Sequence, residues 1–174
     1  ELARRAADQG GASNFARGGV EFTHNSQSKG TGRVVMSTGK AWDFIHHVAA
    51  DAAWEPGLRE IFDYRDLGTK DATNGDYIAH VIRANGRKNP DEVQQWHIHE
   101  CDFQFVYVLN GWATFEYAGQ GEKTIRKGDH ILQIPMIPHR EIACSEDFEV
   151  LEIVAPADFK TRVVDPPQGA EASG

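Results

Sequence analysis

The stretch from Trp96 to Gly111, Trp-His-Ile-His-Glu-Cys-Asp-Phe-Gln-Phe-Val-Tyr-Val-Leu-Asn-Gly, constrains the fold of this chain more than any other. His97 and His99 stand two apart. On a strand such residues point to one face, so both imidazoles can reach a single ion. Gln104 to Val108, rich in β-branched and aromatic residues, reads as a second strand. Paired antiparallel to the first, it brings Gln104 to the two histidines. Asn110-Gly111 is a strong hairpin signal and makes Trp112 to Tyr117 the return strand. A third imidazole, His139, follows a Gly128-Asp129 turn and a short apolar strand, Ile131 to Ile134, which Pro135 and Pro138 stop. These spacings favour three histidines and one glutamine converging inside a small β-barrel.

The surrounding chain has the same texture. Ile61 to Tyr64 reads as a strand, Thr73-Asn74-Gly75-Asp76 as a turn, and Tyr77 to Arg83 as a strand with Ile78, His80 and Ile82 on one face. Gly119 to Glu122 is another turn, Thr124 to Arg126 leads to the Gly128-Asp129 turn, and Phe148 to Val154 is the last clear strand. Short strands separated by turns at this rhythm indicate an all-β sandwich or barrel. Ala41 to Ala53 departs from the pattern. Trp42, Phe44, Ile45, Val48 and Ala49 recur at three- and four-residue spacing, which predicts a short amphipathic helix broken at Pro56-Gly57. His46 and His47 fall on it; neighbouring helix positions diverge by about 100°, so they read as surface or packing residues rather than joint ligands.

Residues 1–37 are rich in Gly, Ser, Asn, Gln and Arg and poor in large apolar groups. Such an arm cannot fold alone, so it needs its own barrel or a neighbouring subunit, and Val20-Glu21-Phe22 and Arg33 to Met36 are where it can add a strand. This favours a homodimer with exchanged arms. Residues 38–165 form the barrel and 166–174 a frayed tail. The 174-residue chain carries a net charge of −8; residues 1–35 hold five Lys/Arg and three Asp/Glu, a net of +2, so the remainder carries −10. That acidity argues against nucleic acid as a main partner, because duplex binding needs clustered cations. No run approaches the roughly 18 apolar residues of a membrane helix, and the first residues lack the apolar core of a signal peptide. Two cysteines, Cys101 and Cys144, are no disulfide framework; a cytoplasmic protein with reduced thiols is the expectation.

The spacing His97-x-His99-x4-Gln104-x6-Gly111 resembles the first motif of the cupin superfamily, usually Gly-x5-His-x-His-x3–4-Glu-x6-Gly. The second motif, usually Gly-x5-Pro-x-Gly-x2-His-x3-Asn, aligns with Gly128, Ile134, Met136, His139 and Ala143. The likeness covers residues 91–143 and extends through flanking strands to about 58–158. It implies a double-stranded β-helix (jelly-roll) barrel holding one divalent metal ion, Fe, Mn, Ni or Zn, near one mouth on His97, His99, Gln104 and His139. Asp91, Ile134, Met136 and Ala143 depart from the pattern at positions that shape turns. Gln104 in place of Glu leaves the site at +2 rather than +1, which favours an anionic ligand.

Several other residues can face the same cavity. Gln95 shares parity with His97 and His99. His80 and Glu141 are candidate catalytic bases, and Glu152, in an apolar strand, needs a partner if buried. His130 reads as exposed, Cys101 as a small buried hydrophobe, and Tyr107, Trp112, Phe115 and Tyr117 as core or interface aromatics. The expected function is a metal-dependent enzyme acting on a small organic molecule, with dioxygenase-type chemistry favoured. The alternatives are a non-redox lyase, isomerase or cyclase and a non-catalytic ligand-binding barrel.

Overall fold

The computed structural model describes the backbone of residues 33–35 and, in full, residues 39–57, 60–87 and 95–168. The Val20 to Phe22 strand candidate, Asp91 and the last six residues of the tail lie outside them. The elements in order are β1 (Arg33–Val35), β2 (Ala41–Asp43), a 3-10 turn (Ala49–Asp51), β3 (Glu55–Pro56), β4 (Phe62–Asp66), α1 (Thr69–Ala72) and β5 (Ile78–Ala84). There follow β6 (His97–Glu100), β7 (Phe103–Asn110), β8 (Trp112–Tyr117), β9 (Gly121–Arg126), β10 (His130–Gln133), β11 (His139–Cys144), β12 (Glu149–Ala155) and β13 (Lys160–Val163).

Two antiparallel sheets face each other, ordered β10-β7-β12-β5-β4-β3 and β13-β6-β11-β8-β9. Alternation decides which side chains enter the space between them. On β12, Val150, Glu152 and Val154 are buried and the residues between them only partly so. On β5 the expected parity holds: Ile78, His80 and Ile82 line the interior cavity. Phe62, Ile82, Val108, Ala113, Ile125, Phe148 and Val150 form the core, each large apolar side chain contributing about 1.5–3 kcal/mol by leaving water.

Three local expectations are corrected. First, residues 41–53 form no amphipathic helix. Ala41–Asp43 pairs with Arg33–Val35 in a two-stranded sheet within the chain, and only a 3-10 turn follows. Tertiary contacts override the spacing: the Trp42 indole donates to Asp76 and meets Tyr77 edge-on, whereas Phe44 and Val48 stay exposed and give a helix nothing to bury. His46 and His47 are exposed. Second, Asn110-Gly111 is not a hairpin between paired strands. β7 pairs with β10 and β12, while β8 pairs with β9 and β11, so the turn carries the chain from one sheet to the other. Gly111 holds φ +65°, and a Cβ there would stand 2.3 Å from Ser145 Oγ and 2.8 Å from the Phe148 Cα, so the corner admits only glycine. Third, β7 does not pair with β6. The two lie in opposite sheets, so Gln104 approaches the histidines across the barrel rather than along a ladder.

The loop between β10 and β11 contains two of the departures from the cupin pattern, Ile134 and Met136. Met136 stands where that pattern has glycine, and it adopts φ +62°. A left-handed backbone costs a non-glycine residue roughly 1–2 kcal/mol. Met136→Gly is therefore expected to raise stability by about 1 kcal/mol, read as a shift in the urea midpoint with an unchanged slope.

Candidate metal centre and cavity

His97 and His99 enter the barrel from β6, and His139 from the neighbouring β11, directly opposite His97 in the ladder. The ring nitrogens available for ligation all lie within 4.8 Å of one another. Ring centroids are 4.2 Å apart for His97 and His139, 5.2 Å for His97 and His99, and 5.1 Å for His99 and His139. On the outward face Arg140 binds Glu116 across the ladder at 2.6 Å, which pins β11 beside β8. Phe159 stacks on His99 with centroids 5.4 Å apart, and Tyr117 stacks on His139 at 5.5 Å.

The donor set fits a divalent ion. His97 Nδ1 bonds the Gln95 carbonyl at 2.9 Å, and His139 Nδ1 bonds the Ile137 carbonyl at 2.9 Å. A carbonyl only accepts, so each Nδ1 carries the proton and each Nε2 keeps its lone pair. Backbone acceptors two residues upstream thus fix the ligating tautomer of two imidazoles, and the Gln95 carbonyl rather than its side chain does this for His97.

Gln104 is held by a buried polar chain. Its Nε2 donates to Glu152 Oε1 at 2.6 Å, and its Oε1 accepts from Gln133 Nε2 at 2.8 Å. An ionised carboxylate accepts only, so the amide turns its NH2 group to Glu152 and its oxygen to the side where Gln133 and His139 lie. That oxygen has a second lone pair, so the bond from Gln133 leaves it able to ligate. Gln133 also lies with its Nε2 3.2 Å from His139 Nε2 and accepts from the Tyr117 hydroxyl at 3.1 Å. At the other end of the chain His80 Nε2 meets Glu152 Oε2 at 2.5 Å. The partner that a buried Glu152 requires is therefore double, His80 and Gln104.

Burial tends to raise the Glu152 pKa. The hydrogen bond and charge of His80, the charge of His99 and the bond from Gln104 outweigh it and hold the carboxyl below its ordinary 4.5. Burial likewise pushes the Tyr117 hydroxyl upward, with the Glu152 charge adding to it. Glu141, two residues beyond His139 on β11, is almost completely buried. A bulge follows it: Glu141 faces Phe115, yet Ala143 faces Thr114 and Cys144 faces Ala113. Cys144 and Glu141 share a hydrogen bond. Burial first, then the Glu141 charge and this bond, push the thiol up to about 12.

At pH 8 Cys144 is then held as the protonated thiol, which is a poor nucleophile. Cys101 is also buried and its pKa is raised, first by burial and then by the charges of Glu152 and Asp102. Both are free thiols. Native protein is expected to resist a disulfide reagent at pH 8, whereas urea-unfolded protein releases two thiols at once; a rapid native reaction of Cys144 contradicts this.

The structure thus brings His97, His99, His139, Gln104, His80, Glu141, Glu152 and Gln95 to one cavity of about 900 Å³. His130 is exposed, stacked on Phe105. Gln133 and the hydroxyl of Tyr117 were not legible as site groups. The one available signal was Gln133 as the polar residue of an apolar strand, and only the register Gln133↔Gln104 gives it a role.

The sequence matches no protein-family model and no curated protein. Solved structures share its backbone. The polyketide cyclase RemF from Streptomyces resistomycificus is 18% identical, with a TM-score of 0.56 over 72% of this chain and 89% of that one. An RmlC-like cupin from Shewanella frigidimarina is 18% identical, with a TM-score of 0.52 over 67% and 95%. An Fe(II) form of HppE is 16% identical, with a TM-score of 0.51 over 71% and 64%. No helix among the described residues is long and apolar enough to cross a membrane. Two facing antiparallel sheets, the histidine cluster between them and these likenesses identify the chain as a protein of the cupin double-stranded β-helix fold.

Proposed function

We propose that this chain is a metal-dependent enzyme that binds one divalent ion on His97, His99, His139 and Gln104 and acts on a small organic anion. The observation that carries the reading is the convergence of three imidazoles within 4.8 Å, two of them with Nδ1 committed to backbone carbonyls. A bound ion there supplies Lewis-acid or redox chemistry to the molecule in the cavity. With a neutral donor set its full charge remains to be offset, which attracts a carboxylate or enolate.

The chain's own residues favour proton transfer, hence an isomerase, lyase or cyclase. Glu141 stands about 7 Å along β11 from His139, inside the cavity, where a carboxylate takes or returns a proton on carbon or oxygen. The His80–Glu152 pair lines the same space and offers a second proton site. Gln104 and Gln133 orient, and the apolar walls exclude water. Oxidative cleavage is the second reading. The nitrogen-rich donor set suits iron as well as zinc or nickel, and Fe(II) is present in one fold neighbour.

Loading the protein with Zn, Ni, Mn or Fe(II) and following cyclic diketones and phenols separates the two. Deuterium exchange at the carbon next to the carbonyl, lost in Glu141→Gln, supports proton transfer. Oxygen uptake dependent on Fe(II) supports the oxidative reading. Neither activity with any metal contradicts the enzyme reading.

A further inference from the structure

The two sheets turn opposite kinds of surface outward. Residues that alternate with the cavity-facing ones point away from the barrel. On the five-stranded sheet these include Glu100, Glu116, Glu122, Arg126, Arg140 and Arg162, and two ion pairs form among them, Arg140 with Glu116 and Arg162 with Glu100 at 3.1 Å. This is the polar side that an antiparallel sheet gives to water. The six-stranded sheet departs from it on β10, β7 and β12. Phe103, Phe105 and Tyr107 alternate with the inward Gln104 and Val106. Leu132 stands opposite Phe105 on one side, and Ile153 and Leu151 stand opposite Phe105 and Tyr107 on the other. Ile134 continues the row just past β10. Among the described residues no Asp, Glu, Lys or Arg points outward from β7 or β10.

Leu132 and Ile134 are 61% and 59% exposed, and Phe103 and Tyr107 38% and 39%. With His130, Met136 and the half-buried Phe105, Leu151 and Ile153, they offer about 700 Å² of mostly apolar surface. That exceeds the ~300–600 Å² of the largest patch on a typical monomer and approaches the ~800 Å² that each partner gives to a stable interface.

We infer that this face is the contact between two copies of the chain, packed sheet on sheet about a twofold axis. Three features select that occupant. A flat strand face fits another flat strand face, and the charged outer side of the five-stranded sheet is no match for it. The chain carries a net charge of −8, so two copies repel over much of their surface and meet at least cost where neither is charged. A twofold axis sets the patch against itself, so the same apolar area is covered on both copies and neither patch stays open. Leu132 also lies on β10, an edge of its sheet, where monomeric proteins place charges against association. The contact joins folded sheets, needs no exchange of arms and is independent of the metal reading.

Sedimentation equilibrium of the full-length chain without added metal is expected to give twice the chain mass at micromolar concentration. Leu132→Glu places two carboxylates in one contact and is expected to weaken dimerisation at least a hundredfold. Thr124→Glu, on the exposed outer side of β9, is expected to change it less than threefold. Hydroxyl-radical labelling of Tyr107 in the unaltered protein gives a reading that needs no variant to fold: it is expected to fall as the concentration rises through the dimerisation range. A monomeric wild type overturns the inference. So does a dimer that withstands Leu132→Glu, one that Thr124→Glu weakens equally, or one whose formation leaves Tyr107 labelling unchanged.

Discussion

In His139→Ala the affinity of the barrel for a divalent ion falls on the order of a thousandfold, while the metal-free protein loses no more than about 1–2 kcal/mol of stability. The two effects come apart because they have different causes. Folded metal sites contribute about 10–16 kcal/mol on binding, and removing one of three imidazoles forfeits about a third of that, or 3–5 kcal/mol, which is two to four decades. The fold itself loses a buried ring, its stacking on Tyr117, its contact with Gln133 and its bond to the Ile137 carbonyl. Titration with zinc or cobalt beside thermal unfolding of the metal-free protein checks both halves. Parallel loss of metal and fold would mean that the histidines are structural.

Glu152→Ala has the opposite profile. It removes the acceptor of both His80 and the Gln104 amide from a buried position, and each buried donor left without its acceptor costs about 1–3 kcal/mol. Urea unfolding measures it directly. The pH dependence gives a second readout. The folded pKa of Glu152 lies below its ordinary 4.5, so its contribution is fully present above that value and is lost as the pH falls through the lower, folded value. Wild type should therefore lose stability on acidification more steeply than Glu152→Gln, and the two should converge in strong acid. A constant gap from pH 7 to pH 2 would show that the carboxylate acts through packing rather than charge.

The histidine cluster was legible because period-two alternation is a local property. His97 and His99 share a face in any strand, and the parity that placed Ile78, His80 and Ile82 together held for the same reason. What pairs with what is not local. Asn110-Gly111 has the composition of a hairpin, yet in a double-stranded β-helix the chain turns from one sheet into the other, and the crowding of Gly111 against Ser145 and Phe148 explains the glycine equally well. Gln104 accordingly reaches the site from the opposite sheet, by a route that strand pairing did not suggest. The helix expected over residues 41–53 failed because Trp42 finds Asp76 and Tyr77, contacts that no spacing within the segment reveals. Gln133 escaped notice for a related reason: its role exists only through its register with Gln104.

Gln104 stands where the cupin pattern has glutamate. The carboxylate has not left the neighbourhood; it stands one hydrogen bond back, at Glu152, where it orients the amide. A neutral oxygen donor with a negative charge behind it and the polar chain from His80 to Tyr117 around it form one unit, built from β5, β7, β8, β10 and β12. The geometry of that unit depends on both sheets at once.

Three imidazoles whose ring nitrogens lie within 4.8 Å of one another should retain a metal through purification. Elemental analysis reads this in protein purified without a nickel column, beside His99→Ala prepared in the same way. The expected result is close to one divalent ion per chain in the wild type and a trace in the variant. No metal in the wild type, even after reconstitution, or equal metal in both proteins would contradict it.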